Sequence, residues 1–236
     1  MESLKGKKVI LVGATGGIGS ATARLLAGSQ AQLFLVGRNN VRLEAMKAEM
    51  PSCDFANVDL SDAEAIARMG TDYVNRYGAP DILINAAGIG IIKPVEQLSV
   101  EEFIQSLQTN LVGTFSLVKA FLPSMKEVKK GLIINIPGVL GKVPMAGAAA
   151  YSASKYGLMG MMHSIREELK RTDIRITNLV LGGVDSPFWD EIDLRVQKEK
   201  MIRPEEAARA IWFLCQQPSS GVVSEMVLQP FNHQAV

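Results

Sequence analysis

Metal-binding side chains are scarce in this sequence. It contains two cysteines, Cys53 and Cys215, without CxxC spacing, and two histidines, His163 and His233. No zinc set or disulfide framework can be assembled from them, so no metal is expected and both thiols read as reduced and buried. An excess of one charge is also missing: 25 Lys and Arg stand against 24 Asp and Glu, for a net charge of +1. That argues against a nucleic-acid partner and against a charged binding arm. No apolar run is long enough to span a bilayer. The opening MESLKGKKVILVGATGG lacks the apolar stretch and cleavage site of a secretory signal. A soluble, cytoplasmic chain with no membrane contact is the expectation.

What is present suits one globular domain over residues 1–236, with 47% hydrophobic and 21% charged residues. Strand-like runs alternate with helical patterns. Lys8–Val12, Gln32–Val36, Cys53–Val58, Asp81–Ile84, Leu132–Ile136, Ile174–Leu181 and Met226–Leu228 read as strands. Ile18–Gly28, Val41–Met50, a segment from Ser61 to Tyr77, Val100–Met125, Ala149–Arg171 and Pro204–Gln216 read as helices. Ser61 with Glu64, and Ser99 with Glu102, have capping-box spacing. Apolar strands separated by helices predict a parallel sheet buried on both faces. The expected fold is a single α/β Rossmann-type, doubly wound domain. Its parallel seven-stranded sheet has order 3-2-1-4-5-6-7, with helices on both faces. Weak periodicity over 184–201 suggests a short flap over a site.

Between the first strand and first helix lies Gly13-Ala14-Thr15-Gly16-Gly17-Ile18-Gly19. Glycines there let the backbone turn tightly and approach a dinucleotide pyrophosphate at a helix N-terminus. The spacing of Gly13, Gly17 and Gly19 is GxxxGxG. The second strand ends in Val36-Gly37-Arg38-Asn39. An acid at this point would bind a ribose 2′-OH; here it is absent, and Arg38 can fork onto a 2′-phosphate. NADP(H) is therefore the expected cofactor. Asp59 and Leu60 end the third strand, where they could flank the adenine.

The motifs together resemble the short-chain dehydrogenase/reductase family. The resemblance rests on GxxxGxG, on Asn85-Ala86-Ala87-Gly88, on Asn110, and on Tyr151-Ser152-Ala153-Ser154-Lys155. It extends to Leu181-Gly182-Gly183-Val184-Asp185-Ser186, which is similar to the family's PGxVxT stretch. The cofactor-binding set carried over includes Thr15, Gly16, Ile18, Gly182, Val184 and Ser186, besides the residues already named. Tyr151 and Lys155 are four apart and share a helix face. A nearby ammonium lowers a phenol's pKa, so Tyr151 is expected to exchange a proton with a carbonyl or alcohol oxygen. The resemblance implies that Lys155 also bonds the nicotinamide ribose and that Asn110 holds a relay water.

One departure bears on turnover. The family places a serine thirteen residues before the tyrosine; here that position is Gly138, after Pro137. Losing such a donor typically costs about 100- to 1,000-fold in rate. Two readings follow: an NADPH-dependent reductase of a ketone or aldehyde, or a cofactor-binding protein of the same fold with weak or no turnover. Ile89, Ile91, Ile92, Val139, Met145, Phe188, Trp189 and Met201 are expected to line the substrate end, favouring an apolar or aromatic carbonyl compound. His163 reads as structural and His233 as uninformative. The helices over 100–125 and 149–171 carry apolar residues on more than one face. In the resembled family such helices build a homodimer, commonly within a homotetramer.

Overall fold

The computed structural model describes residues 2–232. His233 lies outside them. Seven parallel strands form one sheet in the order β3-β2-β1-β4-β5-β6-β7. They are β1 (Lys8–Val12), β2 (Gln32–Gly37), β3 (Asp54–Asn57), β4 (Ile82–Asn85), β5 (Lys130–Asn135), β6 (Asp173–Leu181) and β7 (Glu225–Leu228). The helices are α1 (Gly17–Gly28), α2 (Asn40–Glu49), α3 (Ala63–Tyr77), α4 (Val100–Leu107), α5 (Gly113–Glu127), α6 (Ala149–Glu168) and α7 (Pro204–Cys215).

The two-residue period of the strands divides the core into two layers. Val9 and Leu11 face α1, α2 and α7, packing with Leu26, Leu43 and Ile211. Ile10 and Val12 face α3, α5 and α6, packing with Ile66, Phe121 and Leu158. Both faces of the sheet are thus covered, which is why the strands read as unbroken apolar runs. Strand order reverses between β1 and β4. There the C-terminal ends align, with Val12 opposite both Val36 and Asn85 and with Asn85 opposite Asn135. Crevices beyond the carboxyl ends at such a reversal are the ligand sites of open α/β sheets.

Three local expectations need correction. Ser61 does not cap α3; Asp62 does, accepting from the Ala65 N–H at 2.9 Å. The reason is Asp59, whose carboxylate takes both the N–H and the hydroxyl of Ser61 at 2.8 Å. The expected Val100–Met125 helix is interrupted by a π-helical turn at Gln108–Val112. Its Ser99–Glu102 capping box is present. The third strand is shorter than Cys53–Val58, because it has β2 on one side only and pairs over Asp54–Asn57.

Candidate active site

The cleft beyond the β1 and β4 strand ends has a volume of about 2030 Å³. One end is built on the glycine loop. Gly13 has φ of +79°, and a Cβ there would lie 2.7 Å from the Ala87 nitrogen. The Gly13 site therefore needs glycine twice over, for the turn and for the close approach of the loop after β4. Gly19 is equally committed, since a Cβ would meet the Gly13 carbonyl oxygen at 2.0 Å. Gly16 caps α1 without a side-chain bond, and the first turn holds no acid. Its N–H groups and dipole thus face the cleft without a competing internal anion, which suits a pyrophosphate.

Thr15, Gly16, Gly17, Ile18, Arg38, Asn39, Asp59, Leu60, Ala86, Ala87 and Gly88 all line the cleft, Gly88 next to Lys155. Arg38 is joined by Arg42, a residue that the motif reading missed. Arg42 reaches back from α2 so that its Nη1 donates to the Thr15 carbonyl at 3.3 Å. Neither guanidinium lies within ion-pair distance of a carboxylate among the described residues. Its place one helical turn after Asn39, at the start of α2, was the available signal. The Asp59 carboxyl is held below its ordinary pKa by the Ser61 N–H first, and also by the Arg38 charge.

At the other end, Tyr151 and Lys155 project from the first turns of α6. Lys155 is buried, and its Nζ lies 5.3 Å from the Tyr151 ring centroid. Burial brings the Lys155 pKa down to about 8 and pushes the Tyr151 phenol above its ordinary value. The expected lowering of the Tyr151 pKa by its lysine neighbour is thus reversed here. The cause is removal of the phenol from water, which disfavours the charged phenolate.

Asn85 and Asn110 do not line the cleft. Asn85 donates to Thr114 Oγ1 at 2.7 Å and accepts from the Ala87 N–H, fixing the strand end against α5. Asn110 sits in the π-helical turn. Its side chain accepts from the Ile89 N–H at 2.9 Å and donates to the Ile89 carbonyl and Ser154 Oγ, both at 3.0 Å. Those bonds hold the loop after β4 against α6. A Cβ on Gly88 would lie 3.1 Å from Asn110 Oδ1 and 3.2 Å from Lys155 Nζ, so glycine is what lets these groups converge.

Gly138 has φ of +74° and ψ of 164°. A Cβ there would lie 3.6 Å from the Tyr151 hydroxyl oxygen. The position expected for a serine is therefore beside Tyr151, but its backbone lies in a region used essentially by glycine alone. Ile89, Ile91, Ile92, Val139, Met145, Phe188, Trp189 and Met201 all line the cleft, as do Gly182, Val184 and Ser186. His163 is exposed on α6, away from it. Among the described residues no cluster of three or more His, Cys, Asp or Glu could hold a metal, and no helix is long and apolar enough to cross a membrane.

The sequence model of the short chain dehydrogenase family matches residues 7–197. Sepiapterin reductase from Chlorobaculum tepidum is 32% identical over 233 residues, covering 94% of this chain and 95% of that protein. An alcohol dehydrogenase from the archaeon Thermococcus sibiricus, solved with 5-hydroxy-NADP, superposes with a TM-score of 0.90. It is 28% identical, over 98% of this chain and 100% of that one. A metagenomic short-chain oxidoreductase solved with NADP gives a TM-score of 0.85 at 32% identity, with 98% and 100% coverage. This chain belongs to the short chain dehydrogenase family of oxidoreductases.

Proposed function

We propose that the chain is an NADP(H)-dependent oxidoreductase that reduces a ketone or aldehyde to an alcohol, with Tyr151 as the acid. The observation that carries this reading is the convergence of Tyr151 and Lys155 on the same cleft as the glycine loop. Arg38 and Arg42 favour the phosphorylated dinucleotide, because guanidinium forks suit a phosphate. Gly13–Gly19 would hold the pyrophosphate, and Lys155 the ribose nearest Tyr151. When bound, the nicotinamide supplies or accepts the hydride.

Tyr151 gives its hydroxyl proton to the carbonyl oxygen as that oxygen gains charge. A phenol kept protonated by burial suits this direction: the acid is loaded at neutral pH. The reverse reaction needs the phenolate and is disfavoured by the same burial. Lys155, at about 8, remains mostly charged at pH 7 and can stabilise the developing phenolate. Asn110 acts by position, holding Ile89 and Ser154. The free, buried thiols of Cys53 and Cys215 suit the reducing cytoplasm.

A second reading rests on Gly138: a cofactor-binding protein of this fold with little turnover, since no side chain there can polarise a substrate oxygen. NADPH oxidation against a panel of ketones and aldehydes separates the two. Turnover with any carbonyl supports the enzyme; tight NADPH binding with no turnover supports the second reading. We also place the subunits in a homodimer or homotetramer, with Ile104, Phe115 and Tyr156, all exposed on α4, α5 and α6, as contact residues.

A further inference from the structure

Two glycines that line the cleft, Gly17 and Gly90, are absent from the positive-φ positions, so their own backbones do not require glycine. Each nevertheless faces the segment 184–201 closely. A Cβ on Gly17 would lie 2.7 Å from Ser186 Cβ and 3.3 Å from Pro187 Cδ. A Cβ on Gly90 would lie 2.3 Å from Phe188 Cζ and 2.9 Å from Ile192 Cδ1. The shortest contact at each glycine, 2.7 Å at Gly17 and 2.3 Å at Gly90, is too short for a real Cβ unless the facing residue shifts. The absent methyl groups therefore form two notches into which this segment fits, and Gly90 is a seat for one ring.

That ring is held on its other sides as well. The Phe188 centroid is 5.8 Å from that of Tyr151, with the planes tilted by 56°. Trp189 meets Phe188 edge-on at 5.3 Å and 85°. Trp189 is itself anchored, its indole N–H donating to the Val184 carbonyl at 2.9 Å. Phe188 thus forms a fixed aromatic wall beside Tyr151. At the Gly138 position, beside the Tyr151 hydroxyl, there is no side chain to fill the space.

We propose that Phe188, seated on Gly90, determines substrate specificity by selecting carbonyl compounds that carry a flat, conjugated ring over their saturated counterparts. The inference rests on the reading of Tyr151 as the reacting acid and names the substrate class for that site. Phe188 and Tyr151 are already in contact, so a substrate ring lies against the cleft side of this pair and presents a π face or edge to Phe188. A puckered saturated ring of equal carbon number has no ring quadrupole to match. An aromatic pair contributes about 2- to 12-fold in binding beyond the area it buries.

The test compares an aryl methyl ketone with its cyclohexyl analogue, and the two corresponding alcohols as ligands of the NADPH-loaded protein, a pairing that cannot react. Calorimetry of the alcohols needs no turnover, so it separates this proposal from the acid role of Tyr151. Wild type is expected to bind the aryl alcohol about 2- to 12-fold more tightly than the cyclohexyl one, and to show the same preference in KM for the ketones. In Phe188→Leu the preference falls to near one. Gly90→Ala unseats the ring and lowers the preference in the same way, and the double variant is no worse than Phe188→Leu alone. Thermal midpoint and NADPH affinity check that each variant is folded. Equal binding of the two alcohols by wild type, binding of neither, or an unchanged preference in Phe188→Leu overturns the proposal. Loss of turnover in wild type with the aryl preference in binding intact would instead count against the role of Tyr151.

Discussion

Substituting Gly138 by serine sets two effects of the same residue against each other. The turn after Gly138 is pinned: the Gly141 N–H donates to the Gly138 carbonyl at 3.1 Å, and the Val143 N–H to the Val139 carbonyl at 3.0 Å. Gly141 also packs against the Lys155 carbonyl. The backbone cannot easily relax, so an L-residue at φ +74° keeps its strain, about 1–3 kcal/mol. For a chain of this size that is a fall in Tm of roughly 2–12 °C. The gain is local. With Cβ 3.6 Å from the Tyr151 hydroxyl oxygen, the new hydroxyl can reach hydrogen-bonding distance of it and of a substrate oxygen beside it. A donor at such a place raises the rate by about 100- to 1,000-fold. Gly138→Ala carries the strain without the donor. The two variants should therefore melt together below wild type, while only Gly138→Ser gains carbonyl reduction. Unchanged melting in both would refute the enforced positive φ. Equal rates in the two would mean that another group already polarises the substrate oxygen.

Other consequences follow from the same geometry. Lys155, brought to about 8 by burial, is charged below that pH and neutral above it. kcat/KM for NADPH in the reductive direction should therefore be level near pH 7 and fall by about tenfold per unit well above pH 8; a rise across that range would contradict the role of the ammonium. Arg38→Ala and Arg42→Ala should each weaken NADPH binding roughly tenfold and leave NADH binding unchanged, as read by fluorescence titration. Equal losses for both dinucleotides would remove the 2′-phosphate argument. Light scattering should give a dimer or tetramer, and Phe115→Glu should shift it toward monomer by burying a charge in the contact; a monomeric wild type would refute the assembly.

How much was legible in the sequence depended on how local each cause was. The strands and glycine loop were readable because period and turn chemistry act within a few residues. Ser61 and Asp62 were adjacent candidates for one cap, and the choice was made by Asp59 through bonds that spacing does not reveal. Asn85 lay in a binding motif, yet its side chain serves Thr114, 29 residues away. Gly90 was visible as a glycine, but its reason is Phe188, brought against it by the fold. Tyr151 and Lys155 were found by spacing; the direction of the tyrosine's pKa was not, because burial is a tertiary quantity. Gly138 was recognised by what it lacked, whereas its positive φ belongs to the folded turn.

The central claim is that Tyr151 delivers the proton in an NADPH-dependent carbonyl reduction. The most direct measurement is NADPH oxidation with a reactive ketone or aldehyde by wild type and by Tyr151→Phe, each shown to bind NADPH. Wild type should turn over, and the variant should lose about 100- to 10,000-fold in rate. Equal rates in the two, or no turnover with any carbonyl by a wild type that binds NADPH tightly, would contradict it.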